Sequence, residues 1–589
     1  MRLSGSGGGD IVKNTTLARL IAQLGGHKRL LAGAILGAVT SVPLGLLGPV
    51  FIGQAIDGII GPGQVDFAAI LRGLVLLGIT ALASAALQWL MLVCTRKLSA
   101  QAAQRMRRQA FAAVNAAPLQ RIDGHPHGDI VSRLVNDADA VAEGLLQALS
   151  QLLPGVITIV ATVVLMFWLN ALIAVIVIVL TPLSILFARF IARRTTRMFR
   201  AQTRAQGAMS AYVNEHVREQ ALLRAFGAEA HSAAEYGALS EDYFNANFKA
   251  TFYASVANPG TRFINALVYA AVGIVGAVLA LNGAITVGGV SAFLAYANQY
   301  TKPFNEVSAV LAQMQSAFAS AERLFELADW QPEAPDADDA AAPAHSAGHV
   351  QAQNVQFSYD GVTPLIRDLS FEAKPGQRVA LVGPTGCGKT TVINLLMRFY
   401  EIDGGEITVD GADARKIKRN ALRGLYGMVL QDTWLKQATV RENIAYARPD
   451  ATLEDVMEAA RAAHAHSFIK RLPNGYDTVL DSGGENLSAG QRQLLCIARV
   501  MLEKPDMLIL DEATSSIDTR TEMLIQRALE KLMQGHTSFI VAHRLSTIES
   551  ADSILVMDAG RIVERGTHAQ LLEQGGFYAK LYHSQFAPS

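Results

Sequence analysis

The chain alternates between long stretches without charge and polar stretches patterned as helices. Residues 30–56, 73–95, 144–188 and 263–301 hold no Asp, Glu, Lys or Arg. A helix that crosses a bilayer needs about 20 mainly apolar residues. The two longer stretches therefore hold two spans each, turning at Trp168, Leu169 and Asn170 and at Leu281, Asn282 and Gly283. The pattern predicts six spans, because a soluble core has no room for an apolar run of that length. Residues 96–143 and 189–249 separate spans two from three and four from five. Both are helix-patterned and too long for turns, so they project as helical hairpins with tips near 118–128 and 224–228. Residues 331–348, rich in Pro, Ala and Asp, read as a linker. Residues 1–15 read as a flexible tail and hold no apolar signal-peptide core. From 349 onward the pattern changes to short β-type apolar runs and amphipathic helices. The predicted organisation is tail 1–15, membrane domain 16–330, linker 331–348 and soluble domain 349–589.

Charge sharpens this division. The 589 residues are 17% charged, against roughly 25% in soluble proteins. Residues 1–330 carry 25 basic and 18 acidic side chains, and residues 331–589 carry 26 and 33. Without a net basic excess, the composition gives no signal for a nucleic-acid partner. Three distant cysteines, Cys94, Cys387 and Cys496, exclude a disulfide scaffold. Lys28, Arg29, Arg96, Lys97, Arg105 and the arginines of 189–200 flank one side of the spans, while the 57–66, 168–170 and 281–286 loops have no Lys or Arg. Basic residues favour the cytoplasmic side. Both termini are therefore expected in the cytoplasm, with the chain multi-pass in the cytoplasmic (inner) membrane.

The soluble half carries nucleotide chemistry. A β-type run at 378–382 enters Gly383, Pro384, Thr385, Gly386, Cys387, Gly388, Lys389 and Thr390, which fits G-x-x-x-x-G-K-[ST]. Glycines let backbone N–H groups face a phosphate chain, Lys389 adds a point charge, and Thr390 offers a hydroxyl to Mg²⁺. A second apolar run, 507–510, ends in Asp511 and Glu512. A buried strand would deliver both carboxylates at its C-terminal edge. There Asp511 can hold Mg²⁺ through water, and Glu512 can polarise a water for attack on the γ-phosphate. Leu487, Ser488, Ala489, Gly490 and Gln491 precede a helical run from Arg492 to Leu502.

This phosphate loop, the 487–491 signature and His543 together resemble the ATPases of ABC transporters. The order of a membrane half and then an ATPase half resembles the half-size ABC exporters, most of all bacterial multidrug exporters, which are often heterodimeric. The resemblance implies an all-α transmembrane domain of six helices followed by an α/β P-loop nucleotide-binding domain with a helical subdomain. It implies ATP as substrate and Mg²⁺ as cofactor. Tyr359 would stack on adenine, Thr391 would complete the phosphate loop, and Gln431 would touch Mg²⁺. Asp518 would cross a dimer interface, and His543 would sense the γ-phosphate. Ser488 to Gln491 would face the phosphate loop of a second subunit, so the chain would work as a dimer by alternating access. The hairpin tips would couple the halves. Ala489 stands where the family commonly has Gly. With Glu512 and His543 intact, this favours a heterodimer with a degenerate partner over a homodimer. The thiol of Cys387 is expected to make the ATPase sensitive to alkylation.

The cargo is less legible. Arg262 and Lys302 bound the last two spans, with Pro303 and Glu306 close by. Charged groups at membrane depth usually face a cavity or a partner, so both are candidate contacts for an anionic-headed substrate. Trp89, Phe263, Tyr269, Tyr296 and Tyr300 are candidates to line an apolar cavity. The leading reading is an ATP-driven exporter of amphipathic drugs or lipids. An exporter-fold importer, for example of siderophores, is the alternative. A non-transporting ABC ATPase acting on DNA or ribosomes is argued against by the spans.

Overall fold

The computed structural model of the protein describes residues 6–61, 64–431, 433–511, 517–541 and 545–585. It divides into two compact units. One comprises residues up to Asn115 with His127–Trp330, the other Ala116–Pro126 with Gln331–Ser589.

The first unit is built of long helices where the charge-free runs predict them. Lys28–Leu46 continues as Gly48–Asp57, and it is followed by Phe67–Ala116, His127–Leu169, Ala171–Arg218, Glu229–Leu281 and Val287–Ala328. The predicted turns fall in place. The Asn170 side chain accepts from the backbone N–H groups of Leu172 and Ile173 and so starts the next helix. The Thr286 hydroxyl accepts from Gly289 N in the same role. Among the described residues, four helices are long and apolar enough to cross a membrane: Lys28–Asp57, Phe67–Ala116, His127–Leu169 and Arg262–Leu281. Ala171–Pro182 is a shorter apolar helix. Leu82, Trp89, Val164 and Ile274 turn outward on these helices, a distribution that suits lipid rather than water.

Two features lie outside the expectation. The 57–66 loop carries a small antiparallel ladder, Ile59–Gly61 with Gln64–Val65, at the end of an otherwise helical unit. Helix Ser6–Gly25 starts inside the segment read as a tail. Its far end is anchored: Leu20 and Leu24 are buried, and Arg19 pairs bidentately with Asp329 at 2.7 Å.

Inside this unit Phe293, Tyr296, Ile173, Val177 and Val272 form an apolar core. At the polar end a charged network ties His127–Leu169 to Val287–Ala328. Buried Asp137 accepts from Ser320 and from the Arg323 guanidinium, while Arg133 bridges Asp129 and Glu326. Asp137 ends a π-helical turn, Arg133–Asp137, and a second lies at Ala148–Leu152.

The second unit has two sheets and a helical subdomain. The six-stranded sheet runs, in spatial order, Arg561–Gly566, Ser553–Asp558, Arg378–Val382, Thr537–Val541, Met507–Asp511 and Tyr426–Val429. All are parallel except the first, an edge strand. The inner strands are buried on both faces, which is why they read as continuous apolar runs rather than alternating ones. An antiparallel sheet of Ile366–Ala373, Val350–Phe357, Gly404–Val409 and Ala412–Asp413 packs over one core. Helices Val440–Ile444, Leu453–Ala462 and Ala489–Glu503 share the other.

The linker is not loose. Nearly buried Arg419 engages Glu333, Asp336 and Glu401, and Arg423 reaches Glu333 at 3.0 Å. Asp410 accepts from Ser346 and from the backbone of Ala347 and His349. Burial works against this carboxylate, but those donated hydrogen bonds outweigh it and hold the group below its usual range.

Candidate functional site

The central sheet assembles the site. Val541 pairs with Leu381 on one side and with Asp511 on the other. Strands Arg378–Val382, Thr537–Val541 and Met507–Asp511 therefore end at one edge, where ligands of open parallel sheets bind. The phosphate loop leaves from the first. The second and third lead toward His543 and Glu512, which both lie outside the described residues. Val429 pairs with Leu510, so the next strand leads to Gln431, whose side chain is exposed. Distant motifs reach one edge because the strands that carry them are neighbours in register.

Gly388 has φ +104°, a left-handed conformation that glycine adopts without strain. It turns the chain into helix Lys389–Leu396. The ammonium of Lys389 donates to the carbonyls of Gly383 at 2.8 Å and Pro384 at 3.0 Å. Those contacts hold the cation over the loop, where an anion would be a stronger partner. Thr385, Gly386 and Thr390 are exposed around it, while Thr391 is buried. The backbone N–H groups at this helix start complete a phosphate cradle. The Thr390 hydroxyl, the Gln431 amide and the Asp511 carboxylate are hard oxygen donors, the set that fits Mg²⁺.

Cys387 requires a correction. Its side chain is buried, and burial pushes the thiol up. A buried, protonated thiol reacts slowly, so ready alkylation is no longer expected.

Tyr359 stands at the same helix. It is 39% exposed, and its hydroxyl lies 3.2 Å from that of Thr391. Its ring meets Phe357 and Tyr400 edge-on, with centroids 4.8 and 5.0 Å away. Sequence reasoning missed what holds this cluster. The first hairpin tip forms a short helix, Leu119–Asp123, that belongs to this unit. Tyr400 donates its hydroxyl to Asp123, and the Gln120 amide donates to the Tyr359 carbonyl at 3.0 Å. Burial and the Asp123 charge push the Tyr400 hydroxyl up. Nothing local in the sequence marks Tyr400. The second tip, Gln220–Ala225 with Phe226 after it, buries no residue of its helix, and Leu222 and Phe226 are 54% and 79% exposed.

Ser488 starts helix Ala489–Glu503 through a capping box with Gln491. Ala489 is half-buried at the first helical position. The glycine that packing demands is the next one. A Cβ on Gly490 would lie 2.3 Å from Thr521 Cγ2 and 3.1 Å from Ile517 Cγ2. The signature helix is thus seated against the segment of Asp518, which caps helix Thr519–Met533 by accepting from Thr521 N at 3.0 Å. That donated hydrogen bond holds the Asp518 carboxyl below its usual range.

In the first unit a cavity of about 360 Å³ is lined by Ser41, Ser84, Gln88, Gln151, Gln299 and Lys302, among others. Arg262 is exposed elsewhere, one helical turn from Asn265, which lines a separate cavity with Tyr269. The two predicted substrate cations are not lining residues of one cavity. The side chain of Glu306 lies outside those described. Tyr296 and Tyr300 are buried in the core, and Tyr296 donates to the Leu46 carbonyl. Trp89 and Phe263 are exposed.

Comparison with known proteins matches these two units to two families. Residues 31–304 match the ABC transporter transmembrane region, and residues 366–515 match the ABC transporter family. A fatty acid ABC transporter ATP-binding/permease protein of Mycobacterium bovis is 40% identical, with 96% of this chain and 95% of that protein covered. An ATP-dependent lipid A-core flippase of Syntrophus aciditrophicus is 35% identical over 82% of this chain and 80% of its own length. The solved structure of a bacterial Atm1-family ABC exporter with ATP bound superposes with a TM-score of 0.74 at 30% identity, covering 96% of this chain and 99% of that one.

Proposed function

This chain belongs to the half-size ABC exporters, and we propose that it is one subunit of a dimeric, ATP-driven pump for amphipathic molecules. Its ATP hydrolysis is coupled to transport, as in the family. The observation that carries the proposal is the strand register that brings the phosphate loop, Asp511 and the run toward His543 to one sheet edge.

In this reading the chain spans the cytoplasmic membrane six times with both termini in the cytoplasm. Four described helices have the length and apolarity for this, and the basic flanks give the direction. Backbone N–H groups of 385–389 and the Lys389 ammonium hold the phosphates, while Tyr359 stacks on adenine. Thr390 and Gln431 hold Mg²⁺ beside Asp511, and the metal, when bound, neutralises developing phosphate charge. Glu512 polarises the attacking water, and His543 senses the γ-phosphate.

One chain holds one phosphate loop and one signature helix. Exposed Ser488, at the start of the signature helix, supports a second half-transporter that presents its own loop there. Ala489 supports a heterodimer over a homodimer. The two hairpin tips transmit closure of the ATPase domains to the membrane domain. Lipid cargo is supported by the relatives named for fatty acids and for lipid A-core.

Inside-out membrane vesicles test this reading. With Mg-ATP they should accumulate a fluorescent acyl amphiphile, and Glu512→Gln vesicles should not. Accumulation that needs no ATP, or loss of amphiphile from right-side-out vesicles only when ATP is absent, would reject it.

A further inference from the structure

Lys302 sits in a polar cavity that four helices build. Val287–Ala328 supplies Gln299 and Lys302, Lys28–Leu46 supplies Ser41, Phe67–Ala116 supplies Ser84 and Gln88, and the π-helical turn Ala148–Leu152 supplies Gln151. π-turns inside helices recur at functional sites because they re-aim side chains.

The depth is unusual for a lysine. At 1.5 Å per residue, Lys302 lies about 22 Å along the helix that begins at Val287, and Ser84 about 25 Å along the helix that begins at Phe67. On the six-span reading both lie within the roughly 30 Å hydrocarbon layer. A charge at that depth is expensive unless a partner or a cavity takes it. Among the described residues Lys302 has no ion pair and no hydrogen bond, and the cavity lining contains no Asp or Glu. Ser84 donates its hydroxyl to the Ser41 carbonyl. The amides of Gln88, Gln151 and Gln299 donate to no described group and remain to serve a ligand.

We propose that this cavity is a headgroup site for a singly charged anionic amphiphile, a long-chain carboxylate, with Lys302 as its counter-ion. One ammonium offers one charge. The glutamine amides can donate to the second carboxylate oxygen, a geometry that a cationic or uncharged head would leave unused. The volume of about 360 Å³ lies at the small end of ligand pockets. It houses a headgroup and leaves the tail to the apolar helix faces. Arg262 plays no part in this site. The inference rests on the amphiphile-pump reading and names the charge of its cargo.

The test is binding of dodecanoate, dodecyltrimethylammonium and dodecyl phosphate to the full chain in zwitterionic nanodiscs, with stimulated ATPase as a second readout. Dodecanoate should bind at least about tenfold tighter than the ammonium amphiphile. Lys302→Gln should erase that preference, Lys302→Glu should invert it, and Lys302→Arg should keep it and so exclude misfolding. Arg262→Gln should leave it in place. Equal binding of both head charges by the wild type, or an unchanged preference in Lys302→Gln, overturns the headgroup site while the pump stands. Tighter binding of dodecyl phosphate overturns the carboxylate assignment. Binding of none of the three overturns the amphiphile reading and the site with it.

Discussion

The two hairpin tips carry the same expected role, coupling the halves, and differ in the folded chain. The first, Leu119–Asp123, folds with the ATPase unit. Leu119 packs on its core, Asp123 takes the Tyr400 hydroxyl, and Gln120 reaches the Tyr359 carbonyl. The second, Gln220–Ala225, keeps Leu222 and Phe226 in the open. One tip has found its partner inside the chain. The other presents apolar side chains that an isolated subunit would gain by covering, about 1.5–3 kcal/mol each if fully buried. The difference supports a protein whose working form is larger than one chain. It also suggests a division of labour, in which the first tip answers to the nucleotide of its own chain and the second to a partner.

The sharpest way to break this comparison is to charge the bare tip. Leu222→Asp with Phe226→Asp should cut amphiphile-stimulated ATPase at least tenfold. Thermal stability of the purified chain should stay within about 0.5 kcal/mol, because exposed positions carry little folding energy. Full stimulation in the double variant would mean that the second tip docks on nothing. Asp123→Ala comes next. It leaves the hydroxyl of buried Tyr400 without its acceptor, at a cost of about 1–3 kcal/mol, and stimulation should fall severalfold. Tyr400→Phe removes the donor instead and leaves an exposed carboxylate to water. It should cost only about 0.5–1.5 kcal/mol and lower the coupling less, as thermal melts and stimulated turnover would show. Ala489→Gly touches neither tip. A rise in basal turnover of no more than about threefold is expected if the methyl crowds a partner's phosphate. No change at all in an assembled dimer would remove the sequence argument for asymmetric sites.

Legibility followed the range of the interaction. The spans could be read because lipid tolerates no charge over a whole helix, and the phosphate loop because its glycines, lysine and helix start are contiguous. Ser488 could be read as a helix start because a capping box closes within four residues. The Asp123–Tyr400 contact joins a membrane-half hairpin to the ATPase core and leaves no local trace. Gly490 looked like one glycine of a motif, and only Thr521 and Ile517 show why it must lack a side chain. The linker's composition suggested a tether, yet Arg419 and Arg423 pin it through Glu333 and Asp336. Lys302 could be flagged from its depth. Its cavity could not, since Ser41, Gln88 and Gln151 arrive on three other helices.

The measurement that tests the central claim most directly is Mg-ATP hydrolysis in lipid nanodiscs by the chain assembled with a partner half-transporter or with a second copy of itself, set beside the same assembly carrying Glu512→Gln, with oligomeric state and ATP binding recorded on both. A dimer whose turnover falls at least about 100-fold in the variant, while ATP still binds, is the predicted result. Hydrolysis by Glu512→Gln at the wild-type rate would contradict the account.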